Sequence, residues 1–392
     1  MRRIAVVALA AFAATMAVAV PRLPVVAHAA WADVAAAIAL LATALLILRR
    51  RGGERPRALL AGGATVAGVA YAGWIAVAAA AAGSGFWRAL GAVELVGVMA
   101  SAALLARPSG DRDVILRAWI GGAAVLSVVG LAVAAAAQAG LDVEPLFAGG
   151  GELGLRGRPA GLCRSGMLAA VALGPIVVVA LDGERLVGRR ARLALLALLV
   201  GTMALTLTRT LLALPVAFAI AAARRRPRLA LATVVLATAA AIASVRIDVH
   251  RRGEPGIRWR IAASALERAR AHPLVGIGPG EHAAVAGWPS AADPPLEWDA
   301  HSTVLDLAAT VGLPGLALFL VTIGLAARAG WRASRDGGGD ATDRALRVAL
   351  LATAFDALTI DVAEFRHVWL LAGLCAAACG RAQTAKDYMT TT

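Results

Sequence analysis

The sequence predicts an all-α, polytopic membrane protein of about twelve spans. Three observations carry that prediction. Hydrophobic residues make up 60% of the 392 residues and charged residues only 16%, against roughly 25% charged in soluble domains. The apolar residues fall in runs close to the ~20 needed to cross a hydrocarbon core at 1.5 Å per residue. Basic residues punctuate those runs at alternate gaps, the pattern that sets membrane orientation. The chain therefore reads as one integral-membrane domain over 1–392, with the lipid bilayer as its solvent.

In chain order the apolar runs are about 4–20, 31–48, 58–82, 89–106, 118–137, 166–182, 193–208, 210–223, 229–245, 302–326, 347–361 and 367–380. Arg2 and Arg3 before the first run resemble a signal peptide, and Ala27-His28-Ala29 a cleavage site. Because further spans follow, the run is read as an uncleaved first span. The basic clusters are Arg49-Arg50-Arg51, Arg107/Arg112/Arg117, Arg185/Arg189/Arg190/Arg192, Arg224-Arg225-Arg226/Arg228 and Arg328/Arg332/Arg335/Arg344/Arg347. Placing them in the cytoplasm puts both termini there. About 25 of the 39 Lys and Arg residues then lie inside and about 14 outside. Most of the outer ones crowd into 156–164 and 246–270. Two outer loops result, about 138–165 and a larger one about 246–301. A polar cytoplasmic tail, about 381–392, is expected to be disordered.

The formal charge of +14 does not point to nucleic acid, because the basic residues sit in short gaps between spans as topology signals. Cys163, Cys375 and Cys379 show no metal-ligand spacing and no disulfide framework. No cofactor and no metal is expected. No repeat and no separate soluble domain is visible.

The residues able to carry chemistry lie in the outer intervals. Arg209, in Leu207-Thr208-Arg209-Thr210, has apolar sequence on both sides at an outer span end. It is either a functional cation or a snorkelling one. Arg258 opens an amphipathic helix over about 258–271. At 100° per residue it shares a direction with Ile261, Ala262, Ala265 and Ala269, while Arg260 and Glu267 point away. It would reach a phosphate from a helix lying on the membrane, or anchor that helix to bulk anionic lipid. Arg156 and Arg158 sit among glycines, where a guanidinium fork suits a phosphate but a loop charge is the plain alternative. His301 precedes an apolar helix and is suited to taking a proton near neutral pH. It is a bystander if Ser302 or Thr303 simply caps the helix. His272, before Pro273, reads as structural.

Asp306 is placed inside the outer end of the tenth span, and Glu94 is expected to be the most deeply buried acid. Asp361, Glu364 and Arg366 mark the junction of the last two spans. They are functional candidates or interhelical salt bridges. Gly276, Gly278 and Gly280 lack the lysine and preceding strand of a nucleotide loop.

These motifs together resemble the O-antigen ligase and O-antigen polymerase family of integral-membrane glycosyltransferases. The resemblance spans roughly 150–380. It is carried most specifically by Arg258, His272-Pro-Leu-Val-Gly-Ile-Gly-Pro-Gly280, His301-Ser302-x-x-Leu305 and Gly312-Leu-Pro-Gly315. Arg158-x-x-Gly161, Leu207-Thr208-Arg209 and Asp361…Arg366-x-x-Trp369 add to it. The chain departs from the family at Ser302, where asparagine is usual, and at Ala262, where tryptophan is frequent.

The resemblance implies a GT-C-like helical fold in the bacterial inner membrane, serving polysaccharide or lipopolysaccharide synthesis in the cell envelope. It implies an outward site taking a glycan from a polyprenyl (undecaprenyl) pyrophosphate carrier to a glycan, lipid or protein acceptor. By carry-over Arg158, Arg209 and Arg258 would bind pyrophosphate and His301 would be the base. Arg156, Asp306 and Arg366 are secondary candidates. The enzyme would be metal-independent and inverting. The rival reading from another class is a transporter or flippase for an anionic lipid-linked substrate, which predicts repeats and broken helices at mid-membrane. A structural or accessory subunit is a third, with no positive signal.

Overall fold

The computed structural model describes residues 1–16, 31–49, 62–141, 165–223, 225–251, 257–286, 296–335 and 340–391. Its helices are α1 (Arg2–Thr15), α2 (Trp31–Arg49), α3 (Gly63–Ala82), α4 (Phe86–Leu105), α5 (Ser109–Gln138), α6 (Ser165–Val187), α7 (Arg189–Leu205), α8 (Ala213–Ala222), α9 (Pro227–Arg251), α10 (Ile257–Ala271), α11 (Thr303–Thr310), α12 (Gly312–Arg335), α13 (Ala341–Asp356) and α14 (Arg366–Thr391). A 3₁₀ turn, Arg209–Leu212, leads into α8. β1 (Ala284–Ala286) and β2 (Leu296–Trp298) pair antiparallel, Val285 opposite Glu297. This small ribbon is the one departure from an all-helical chain among the described residues.

Every apolar run of the sequence falls on a helix. Among the described residues five helices are long and apolar enough to cross a membrane: Gly63–Ala82, Phe86–Leu105, Ser109–Gln138, Met167–Val187 and Gly312–Trp331. Four shorter helices are also apolar. Three boundaries differ from expectation. The run 302–326 is not one span but two helices, α11 and α12, broken at Val311 and Gly312, where Gly312 takes φ 75. Asp306 is thus on a separate short helix, not inside a span. α9 continues to Arg251, past the expected loop start at 246. The tail, expected to lack structure, continues α14 to Thr391.

The helices pack through small residues. Where α5 meets α6, the Trp119 ring lies where a Cβ on Gly174 would go, 2.3 Å away. Without water between helices to drive association, such close approach and its dispersion contacts hold the bundle. α1 packs on α2 and α5 and buries Leu9, Phe12 and Met16. Tyr71 on α3, Phe319 on α12 and Trp369 on α14 form an aromatic cluster, with Tyr71 stacked 5.4 Å from Trp369.

One end of the bundle carries an ionic lock. Arg112 on α5 is fully buried. Its Nη2 donates to Asp340 at 2.6 Å and its Nη1 to Asp343 at 2.8 Å. Asp340 and Asp343 also form a capping box that starts α13. Arg185 on α6 bonds Asp113 at 2.8 Å and Thr342 at 2.5 Å, and Thr342 donates to Asp182. The lock ties α5, α6 and α13 together. Removing one member strands buried charge, so Arg112→Ala is expected to cost about 3–5 kcal/mol. A thermal melt in detergent that matched the native protein would show that the lock does not hold the bundle.

Glu94 is not the deepest acid. It lies part-exposed beside Arg366, whereas Asp343 and Asp356 are 2% and 1% exposed.

Candidate functional site

The other end of the bundle is a cap built from α10, the β-ribbon and α11. Ile261 and Ala265 of α10 form a small core of their own with Ala283, Ala284, Ala300 and Ala309, with Leu305 packed against it, and Ala269 is buried on the same helix. The apolar stripe of α10 is therefore spent on the protein, not laid on a membrane surface.

The glycine run forms a clasp, not a phosphate cradle. The Ile277 N–H donates to Ala309 O at 2.9 Å and the Gly278 N–H to Thr310 O at 3.0 Å. These bonds satisfy the last carbonyls of α11, which have no partner within the helix. In return, the Leu313 N–H at the start of α12 donates to Pro273 O at 2.8 Å. Trp74 Nε1 on α3 donates to Val311 O at 2.8 Å and fixes the break from the side. The fit leaves no room at two glycines. A Cβ on Gly276 would stand 2.3 Å from the Thr310 carbonyl carbon, and one on Gly312 would stand 2.0 Å from Leu274 O. Both have positive φ. Gly312→Ala is expected to destabilise the protein by about 3 kcal/mol or more, through backbone strain and overpacking together. The check is thermal unfolding beside Gly324→Ala, a glycine with open space around it.

His301 lies at the entry to α11 with φ 51, in the left-handed region, and is exposed. The loop around it is held on both sides. The Ala300 N–H donates to Asp306 Oδ1 at 3.3 Å, so the buried Asp306 folds back to fix the turn before the histidine. Ser302 is the N-cap but makes no side-chain cap bond. Thr303 binds outward instead, to the segment between α13 and α14. Its N–H donates to Ala357 O at 2.9 Å and its hydroxyl to Ile360 O at 3.1 Å, while the Val362 N–H donates to the hydroxyl at 2.8 Å.

Arg209 begins the 3₁₀ turn. α7 ends as the Thr206 hydroxyl bonds Met203 O at 2.6 Å and meets the Thr208 hydroxyl at 3.0 Å. Leu207 then takes φ 52. With His301 it is one of the two non-glycine residues of positive φ among the described residues. Such strain concentrates at functional sites because surrounding structure must pin it. Thr210, next to Arg209, is buried, and the 3₁₀ turn packs against α13, which ends at Asp356. Ala357, the next residue, receives the bond from Thr303. The Arg209 turn and the His301 loop are therefore linked through α13 and the segment that follows it.

Arg366 pairs with Asp33 of α2 and lies 3.8 Å from Glu94 of α4, so it ties α14 to the bundle. Arg88 on α4 was missed by the sequence reading. Its Nη1 lies 2.7 Å from Glu364 Oε1, and the charges of Asp306, Asp299 and Asp361 act on it. The signal was present: like Arg209, Arg88 is an arginine beside an apolar run. Burial pushes the Asp361 carboxyl above the ordinary carboxylate range, against the Ala363 N–H it accepts and the charge of Arg88. Arg156 and Arg158 lie outside the described residues, as does the side chain of Arg258. Among the described residues no group of three or more His, Cys, Asp and Glu is arranged to hold a metal ion.

Residues 159–320 match the family model described as O-antigen ligase. This segment is similar to the O-antigen ligase family. The matched segment contains Arg209, Arg258, His301, Asp306 and the glycine clasp. It begins one residue after Arg158 and ends before Arg366. The match lies within the stretch, roughly 150–380, whose motifs resemble the same family. No curated protein matches the chain.

Proposed function

We propose that this protein transfers a glycan from a polyprenyl (undecaprenyl) pyrophosphate carrier to an acceptor hydroxyl, as an O-antigen ligase or a polysaccharide polymerase. The observation that carries the reading is that the Arg209 turn packs on α13 while the His301 loop bonds the segment just after α13, both within the residues similar to the O-antigen ligase family. The end of the bundle that carries the His301 loop is the outer face of the bacterial inner membrane in the orientation the basic clusters favour, with both termini cytoplasmic.

The chemistry follows from the groups. His301 takes the proton from the acceptor hydroxyl, which is a poor nucleophile until a base does so. The freed lone pair attacks the anomeric carbon. The bond from that carbon to the pyrophosphate oxygen breaks, and its electron pair leaves on the carrier. Arg209, Arg258 and Arg158 hold the pyrophosphate, and their fixed charges act most strongly as negative charge grows there in the transition state. Pyrophosphate leaves readily, so neither a second carboxylic acid nor a metal is required. One displacement inverts the anomeric centre.

The test uses the full chain in nanodiscs with a pyrophosphate-linked oligosaccharide and no added metal. Acceptors are lipid A core, a second carrier-linked glycan, a cell-wall polymer and a protein. A new glycosidic bond of inverted configuration is expected, and the acceptor that works separates ligase from polymerase. Movement of the donor across a vesicle bilayer with no new bond would overturn the reading in favour of transport.

A further inference from the structure

We propose that the exposed apolar face around the glycine clasp, formed by Phe86, Trp87, Leu274 and Leu313, is a bilayer-interface anchor that holds the cap at headgroup depth. Its placement rests on geometry alone, while its consequence for transfer rests on the glycan-transfer reading.

Three membrane-length helices end beneath the clasp. α3 packs on both α4 and α12, and each of the three is long and apolar enough to span. The short tip between α3 and α4 lies against one end of the clasp. A Cβ on Gly85 would stand 2.6 Å from the Gly280 nitrogen, and one on Gly278 would stand 2.6 Å from the Ala82 Cβ at the end of α3. The other end of the clasp lies on the start of α12, where the Leu313 N–H donates to Pro273 O at 2.8 Å. The clasp thus rests on the ends of three spans at once. That is the level at which hydrocarbon gives way to headgroups, in whichever leaflet it lies.

The side chains at that level are large, apolar and uncovered. Phe86 is 69% exposed, Trp87 64%, Leu274 68% and Leu313 53%. Phe86 and Trp87 meet edge to face, with ring centroids 5.4 Å apart. Left in water, the four would forgo the gain that apolar burial brings. Arg88, the next residue after Trp87, pairs with Glu364 at 2.7 Å. An ion pair beside aromatic rings suits the headgroup zone, where tryptophan gathers and a charged tip finds polar company. It does not suit the hydrocarbon.

The face also runs on into the lipid-facing flanks of the spans. Phe86, Leu90 and Val93 fall at i, i+4 and i+7 of α4, each at least half exposed. Leu313 and Leu320 lie seven apart on α12, and both are more than half exposed. A protein partner covers a bounded patch with a polar rim. This face has no lower edge, so the occupant that fits it is the bilayer. The consequence is one of height. The clasp bonds both the last carbonyls of α11 and the entry of α12, so anchoring it fixes the cap above the spans. A lipid-linked pyrophosphate carries its charge at the same depth.

The test uses the full-length protein, one copy per nanodisc. Trp87→Phe removes one fluorescent reporter and Leu274→Trp adds one, so the difference from native emission isolates each position. Lipids brominated near the headgroup are expected to quench both about twofold or more, lipids brominated near the bilayer centre less, and aqueous iodide hardly at all. Quenching by iodide but not by lipid would overturn the proposal by placing the face in water. Quenching by none of the three would overturn it by placing the face under protein. Strongest quenching from the bilayer centre would overturn the depth. The second readout is kinetic, on a variant combining Phe86→Ser, Trp87→Ser and Leu274→Ser. Transfer from a long-chain carrier in nanodiscs is expected to fall about tenfold, while transfer from a short-chain, water-soluble pyrophosphate donor stays within about threefold of native. Equal loss with both donors would overturn the role of depth. A native protein that transfers no glycan would sink the glycan-transfer reading, while the quenching would still decide the anchor. If the combined variant does not fold, the two tryptophan variants still decide the placement.

Discussion

Replacing His301 by alanine is expected to lower single-turnover glycan transfer by about 10²–10⁴-fold, the usual contribution of a positioned general base. Binding of the pyrophosphate carrier is expected to stay within about threefold, because a base for the acceptor makes no contact with the donor before reaction. His301 sits at φ 51, so alanine adds a backbone penalty of about 1–2 kcal/mol. That penalty must be separated from lost chemistry. Asparagine tolerates the left-handed region and cannot serve as the base. His301→Asn should therefore keep the native melting temperature while losing transfer as fully as His301→Ala. Native-level transfer by His301→Asn would remove the histidine from the mechanism and leave it a turn residue.

Arg209→Ala is the second large effect. A fixed cation aimed at growing charge is worth about 10²–10³ in rate, and kcat/KM should fall by that amount. Carrier affinity should fall less, since ground-state pyrophosphate is already charged and only the increment in the transition state is lost from the rate. Arg209→Lys should restore part of the activity at most. A lysine keeps the charge but not the planar fork that grips two oxygens. Equal transfer by native and Arg209→Ala proteins at matched expression would place Arg209 among the membrane-anchoring arginines. The 3₁₀ turn and the strained Leu207 before it would then need another account.

Much of the architecture was written in local pattern. Helix positions follow from apolar runs, and the α10 stripe from residues three and four apart. The break before α12 was also visible, in Gly312-Leu-Pro-Gly315, but a continuous apolar run masked it. The two φ values that split the run and orient His301 are set by hydrogen bonds to Pro273, Ala357 and Trp74, all distant in sequence. Long-range pairing was the harder part. Arg366 finds Asp33 at a separation of 333 residues, and the seat of the Arg209 turn on α13 depends on how α8 packs there. No single-residue property announces either. The motif residues were legible as types suited to pyrophosphate and proton transfer, whereas the polar groups that set their places were not.

The cap at the histidine end has a hydrophobic nucleus separate from that of the bundle, made from α10, the ribbon and α11. It joins the bundle through backbone bonds to the α12 entry and to the turn after α13, through Leu307 of α11 in the bundle core, and through the close approach of Gly280 to Gly85. Residues 257–286 and 296–310 thus form a cassette. Under the proposed function, sequence change on its exposed surface would retune acceptor choice while the helices beneath it stay as they are, so that an inherited scaffold would serve new glycans by drift in one compact stretch.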